Sequence, residues 1–171
     1  MKTPNPPELA GLHHLKLPVS DLDASLAWYQ RVFGAQHLAQ FDHIDDDGAR
    51  YAVIVALPGL SAPLELRWAP GAAGVIRGYD PLNLAVAETE DLDAWERHFN
   101  TVGVDHSSVI QGGAGKLLVV ADPDGIFVRL ADVPDGGPEK ILENISMPKG
   151  NPEPDDPWLN PPSMQHPAPG Q

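Results

Sequence analysis

The chain has 171 residues, with 24 Asp and Glu against 11 Lys and Arg, a formal charge of -13, and no cysteine. That length supports one domain with a sizeable core, and the acidic balance argues against a phosphate-backbone partner, because nucleic-acid binding rests on Lys and Arg neutralising phosphates. The lack of cysteine excludes disulfides, thiolate metal sites and cysteine nucleophiles, so any metal would have to be held by His and carboxylate.

Met1 to Pro7 lacks the apolar core of a signal peptide, and no apolar run approaches the roughly 18 residues of a membrane helix. The expectation is a cytoplasmic protein with neither membrane nor nucleic acid as partner. Residues 12–19 alternate well enough for a strand, with Pro18 marking an edge or an end. A helix follows, capped by Ser20, with Leu22, Leu26, Tyr29 and Phe33 on one face and Gly34 at its end. Residues 36–41 and 50–57 read as strands joined across the acidic turn Asp45-Asp46-Asp47-Gly48, and 64–68 as a further strand. Residues 70–80, with Pro70, Gly71, Gly74 and Gly78, read as a connector containing at most one helical turn.

The order then begins again. Residues 82–86 form a strand, and 91–102 a helix with Leu92, Trp95, Phe99 and Val102 on one face and Gly103 behind it. Strands are expected at 106–110, 116–120 and 126–130, the last entered through the tight turn Asp122-Pro123-Asp124-Gly125. Caps, periodicity and turns agree in both copies, which makes a chance repeat improbable. The fold class is therefore α+β, with module one at 11–69, the connector at 70–80 and module two at 81–131. Residues 132–171 form a Pro-rich C-terminal extension that holds ten of the nineteen prolines. Its apolar anchors Trp158, Leu159 and Met164 could lie along the body or a partner subunit, and 138–145 could make a short helix.

Aligned by sequence, the repeat places His14 against Asn83 and Glu65 against Arg129. The segment from Gly11 to Tyr29, read with Asp122-Pro123-Asp124-Gly125 before the final strand, resembles the vicinal oxygen chelate superfamily. That group contains glyoxalase I, bleomycin-resistance proteins, fosfomycin-resistance enzymes and extradiol dioxygenases. The resemblance covers about residues 11–131. It implies two tandem βαβββ modules forming a curled mixed sheet around a central cavity, often within a homodimer. Because the group spans lyases, isomerases, oxygenases and drug-sequestering proteins, it implies no single reaction.

In metal-dependent members the ligands come from the first and last strands of each module, which the resemblance carries to His14, Glu65, Asn83 and Arg129. His14 is preferred over His13, whose side chain should point the opposite way along a strand. His14 and Glu65 match the ligand pattern and give a tentative, incomplete metal site. Asn83 offers only an amide oxygen and Arg129 has no lone pair to give. An Arg129 guanidinium against Glu65 would occupy the carboxylate and oppose a cation. His106 is the candidate for a missing ligand facing the cavity, while His43 beside three aspartates reads as a solvated hairpin tip. His37, His98 and His166 receive no role.

Without a metal, His14 and Glu65 could still move protons and Arg129 could anchor an anionic oxygen. The segment Gly112-Gly113-Ala114-Gly115-Lys116 lacks phosphate-loop spacing, and Ser107 and Ser108 lack a nucleophile elbow. The first expectation is a protein that binds an unidentified small molecule in its cavity without a cofactor. The alternative is a lyase, isomerase or dioxygenase using one divalent Zn, Fe, Mn or Ni on His14 and Glu65. A purely structural or regulatory role is the third reading.

Overall fold

The computed structural model describes residues 5–112, 115–133, 156–159 and 161. The expected short helix at 138–145, together with Met164 and His166, lies outside them. Module one runs β1 (Leu15–Val19), α1 (Leu22–Phe33), β2 (Gln36–His37), a 3-10 turn (Ala39–Phe41), β3 (His43–Ile44), β4 (Arg50–Ala56) and β5 (Leu64–Trp68). A six-residue helix, α2 (Pro70–Val75), begins the connector. Module two runs β6 (Leu82–Ala85), α3 (Asp91–Val102), β7 (Ile110–Gly112), β8 (Gly115–Ala121) and β9 (Phe127–Ala131). The strands form two mixed sheets, ordered β1-β5-β4-β2 with β3 also on β4, and β6-β9-β8-β7. In both, the first strand runs parallel to the last and the last is antiparallel to the one before it. The expected repeat is thus present in the pairing pattern.

Local chemistry explains the element ends. Asp21, not the expected Ser20, caps α1. Its extended backbone directs Oδ1 to the N–H groups of Asp23 and Ala24. Ser20 instead donates its N–H to Asp124 Oδ2 from the turn before β9. Gly34 closes α1 and Gly103 closes α3, with φ of 65° and 67°, a conformation that costs glycine no side-chain clash.

Two expected strands are shorter than the sequence suggested, each because a side chain takes a place in the hydrogen-bonding ladder. After β2, Asp42 Oδ1 accepts the Ile54 N–H, so β4 is met there by a carboxylate and the chain turns through Ala39–Phe41. In module two, Ser107 Oγ accepts the Val119 N–H. Only the bridge between His106 and Val120 forms before β7 begins at Ile110.

The main core lies where the helices meet one face of each sheet. Leu17, Val19, Val53, Val55, Leu64 and Leu66 receive Trp28, Tyr29, Val32 and Phe33 of α1, while Leu118, Val120, Val128 and Leu130 receive Leu92 and Phe99 of α3. Phe33 joins the two halves, with its ring 5.7 Å from Trp95 and 6.2 Å from Phe99. A second cluster lies on the opposite face of module two. Ile110, Leu117 and Val119 pack there with Leu159, and Trp158 lies 5.0 Å from Phe127. Leu159 is 1% exposed, so these anchors of the extension lie along the body.

Strand alternation then decides which side chains remain for chemistry. With Leu64 and Leu66 turned to the helices, Glu65 and Arg67 share the other face, next to Lys16 and Ile54 in register. Arg129 holds the same position in module two, between Asn83 and Val119.

Candidate functional site

Glu65 is the centre of the polar cluster in module one. It is 2% exposed, and four basic groups surround it. His14 Nε2 and Lys16 Nζ each lie 3.3 Å from Oε2, while Arg67 NH1 lies 3.7 Å and His43 Nδ1 3.9 Å from Oε1. Oε1 is fully buried and accepts no hydrogen bond among the described residues. A carboxylate oxygen removed from water without a hydrogen bond is costly, and the surrounding positive charge offsets part of that cost.

Glu65 lines a cavity of about 360 Å³ together with His13, His14, His43 and the apolar Leu38, Phe41, Ile54 and Pro63. That volume falls within the ordinary range for small-molecule pockets, and the lining has the usual form of an apolar body with a few convergent polar groups. Phe41 stands at 59% exposure. The hairpin carrying Leu38, Phe41 and His43 is fixed by Asp42. Its carboxylate takes the Ile54 N–H at 3.1 Å and His37 Nε2 at 2.9 Å, with Arg50 NH1 3.6 Å away. Behind Glu65, the Arg67 guanidinium lies 4.2 Å over the ring of Tyr51, which also meets His43 at 5.5 Å.

The expected site residues divide into separate places. His14 and Glu65 meet, as the sequence suggested. Arg129 does not lie against Glu65 but pairs with Asp80 at 2.5 Å, both side chains being close to buried. The cause is topological: Arg129 belongs to the second sheet, and Asp80 precedes β6 of that same sheet. Asn83 is exposed beside Arg129. In the sheet ladders Lys16, not His14, holds the place equivalent to Asn83, two residues further along. His106 turns to the helix side, its ring 5.7 Å from Phe99 and its Nδ1 on the Ser107 carbonyl, and so lies away from the Glu65 face.

His13 and His14 do not point apart. Their Nδ1 atoms are 2.7 Å from each other, and both rings line the cavity. Because β1 begins only at Leu15, strand alternation does not govern them. One ring must present a protonated nitrogen and the other a lone pair, so the pair holds at least one neutral imidazole.

Lys16, Arg67 and Asp80 were not among the residues singled out from sequence, and His43, expected as a solvated hairpin tip, instead lines the cavity with its Nδ1 3.9 Å from Glu65. Arg67 carried a usable signal, lying two residues along β5 from Glu65 and therefore on the same face, while Lys16 joins them by its register opposite Glu65. His43 reaches Glu65 only because the hairpin folds back over β4, and Asp80 sits in a connector without periodicity.

The donor set fits a divalent ion poorly. A metal on Glu65 would meet the Lys16 ammonium and Arg67 guanidinium already on that carboxylate, and like charges at about 4 Å oppose each other by several kcal/mol in a partly buried site. Among the described residues no three His, Asp or Glu side chains are grouped to hold a metal. The corresponding places in module two carry an amide and a guanidinium.

Two tandem modules, each a mixed sheet with a helix on one face, define the class of fold to which this chain belongs. The Glyoxalase/Bleomycin resistance protein/Dioxygenase superfamily model matches residues 11–130, and the chain belongs to that superfamily. Among curated proteins no sequence matches it. Among solved structures it is similar to a glyoxylase/bleomycin resistance protein/dioxygenase domain from Frankia sp. EAN1pec. That match has 24% identity and a TM-score of 0.61, covering 76% of this chain and 96% of that one. It is also similar to the fosfomycin resistance protein FosX of Listeria monocytogenes, at 19% identity, TM-score 0.57 and coverages of 79% and 100%. A third is TnmS3, an antibiotic binding protein from Streptomyces sp. CB03234, at 24%, TM-score 0.56 and coverages of 74% and 100%. At these identities the likeness establishes the fold.

Proposed function

We propose that this protein binds a small molecule in the module-one cavity and acts by holding it, without a complete metal site. The observation that carries the reading is the buried carboxylate of Glu65, fenced by Lys16, His14, Arg67 and His43 beside an apolar wall. The similar fold of an antibiotic binding protein supports it. Protein purified without a metal-affinity column should carry well under one equivalent of Zn, Fe, Mn or Ni by elemental analysis. A stoichiometric metal removed only by strong chelators would overturn the reading. The contact between His14 and Glu65 favours a second reading, a divalent-metal-dependent lyase, isomerase or dioxygenase. It requires His14→Ala and Glu65→Ala to lose that metal, and unchanged metal content in both variants refutes it.

A cytoplasmic homodimer belongs to the same proposal. Phe41, Ile44 and Trp68 are large apolar side chains more than half exposed, which supports self-association. Light scattering coupled to size exclusion should give twice the 18.4 kDa chain mass. Among the described residues no helix is long and apolar enough to cross a membrane.

A further inference from the structure

We infer that the module-one cavity recognises a hydroxyl donor, a phenol or enol O–H on an apolar body, through the outer nitrogen of His13 at the end of a chain running Glu65, His14, His13. This rests on the proposal that the cavity is the binding site and specifies what it takes.

The Glu65 carboxylate is the permanently charged group of the lining, and the other polar groups there are the imidazoles of His13, His14 and His43. An ionised carboxylate accepts hydrogen bonds and donates none, so a neutral imidazole beside it is favoured with its proton on the nitrogen that faces it. His14 turns Nε2 to Glu65 Oε2 at 3.3 Å, which places its proton there and leaves its Nδ1 as a lone pair. The 2.7 Å contact between the two Nδ1 atoms is then closed by a proton on His13 Nδ1. His13 is left with an unprotonated Nε2. The opposite arrangement, with the shared proton on His14 Nδ1, would set the His14 Nε2 lone pair against the carboxylate and is opposed by that repulsion.

His43 follows the same rule. Its Nδ1 lies 3.9 Å from Glu65 Oε1, so its Nε2 is also left as an acceptor. The imidazoles thus offer a ligand lone pairs, while Leu38, Phe41, Ile54 and Pro63 offer apolar contact. Lys16 and Arg67 balance Glu65 from outside the lining. His13 is exposed, whereas Glu65 is 2% exposed, so a ligand meets the outer imidazole before the carboxylate. A hydroxyl donates to His13 Nε2 and is matched. An acidic oxygen group would set its own lone pairs against that nitrogen, with the Glu65 charge nearby, and an ether would leave the nitrogen unsatisfied. Glu65 and His14 are therefore positioning residues, which fix the tautomer of the ring that touches the ligand.

Three probes test this on the full chain by calorimetry at pH about 8, above the range in which free imidazole takes a second proton. They are 2-naphthol, 2-methoxynaphthalene, which keeps the body and loses the donor, and 2-naphthoate. Naphthol should bind about fivefold tighter than the ether, the worth of one hydrogen bond, and the naphthoate should bind weakest. His13→Phe, at an exposed position and checked for folding by circular dichroism, should bring naphthol down to the ether's affinity. Nitrogen NMR of the imidazole rings reads the tautomers directly, with His13 protonated on Nδ1 and His14 on Nε2, and Glu65→Gln should release that assignment. Equal binding of naphthol and its ether, or a His13 protonated on Nε2, would overturn the hydroxyl class and leave the cavity as a binding site. If no probe binds, or if binding ignores both Ile54→Trp, which fills the cavity, and Phe41→Ala, which strips its wall, the site itself is wrong.

Discussion

Module one and module two are built from the same pairing pattern, yet they treat the free face of their sheets in opposite ways. In module one that face carries Glu65, Lys16 and Arg67 and opens on a cavity. In module two the equivalent strand position is Arg129, neutralised by Asp80, and the face around it is covered by Leu159 and Trp158 from the C-terminal extension. The pairing pattern is set by helix faces and turns, which both halves share. The chemistry is set by single outward-facing residues, which change without disturbing that pattern. One half is therefore free to be a site while the other closes on itself.

The largest expected effect that could break this contrast concerns the closed half. Arg129→Met strands the Asp80 carboxylate, 13% exposed, and should lower the unfolding free energy by about 3 kcal/mol in urea titration. Adding Asp80→Asn should recover part of the loss. A neutral Arg129→Met would mean that this pair is as free for ligands as the cluster in module one. Next in size, Leu159→Ala should cost about 2–3 kcal/mol, while Phe41→Ala at the open cavity stays within about 0.5 kcal/mol. Equal effects would remove the distinction between a covered face and an open one.

The smallest effect sharpens the boundary between the halves. Burial, the largest cause, and then the Asp124 charge push the Asp122 carboxyl from 3.8 up to about 6, against the hydrogen bonds it accepts from Ile126 and Asp124. The folded chain thus holds this proton more tightly than the unfolded one. Its stabilising contribution is complete below pH about 4 and lost by pH about 6, so stability from this group falls as pH rises. Asp122→Asn, which keeps an acceptor oxygen for both N–H groups, should flatten the change between pH 4 and 7 by about 1–2 kcal/mol. Thermal unfolding at both pH values measures it, and an unchanged slope would place the titration elsewhere.

Much of the architecture was legible in the sequence because it rests on local signals. Gly34 and Gly103 end the helices where expected, and the alternation around Glu65 assigned its face correctly. The misread parts depend on side chains that substitute for backbone partners or on chain that returns from a distance. Asp42 and Ser107 each replace a ladder partner, which no β-periodicity reveals. Two of the five members of the candidate cluster, His14 and Glu65, were visible. Arg67 could have been found by counting in twos from Glu65, whereas Lys16 depended on the register of β1 against β5, His43 on the hairpin fold and Asp80 on the path of the connector. The sequence alignment of the two halves also misled by two residues in the first strand, since His14 precedes the place that the ladder makes equivalent to Asn83.

The turn before β9 has a bearing on how such a chain can be divided. Asp124 takes the Ser20 N–H at the entrance to α1, and Asp122 faces the Tyr29 hydroxyl at 3.5 Å from within the same turn. Tyr29 is wholly buried, and burial, with the Asp122 charge second, raises its own titration well above the ordinary range, so it stays a neutral donor. Loop residues of the second half thus finish the first helix of the first half. A gene cut at the connector would yield one fragment in which Ser20 and Tyr29 have lost their carboxylate partners and another in which Asp124 has lost the Ser20 N–H and Asp122 the Tyr29 hydroxyl. The symmetry visible along the chain is therefore not a seam along which it can be cut.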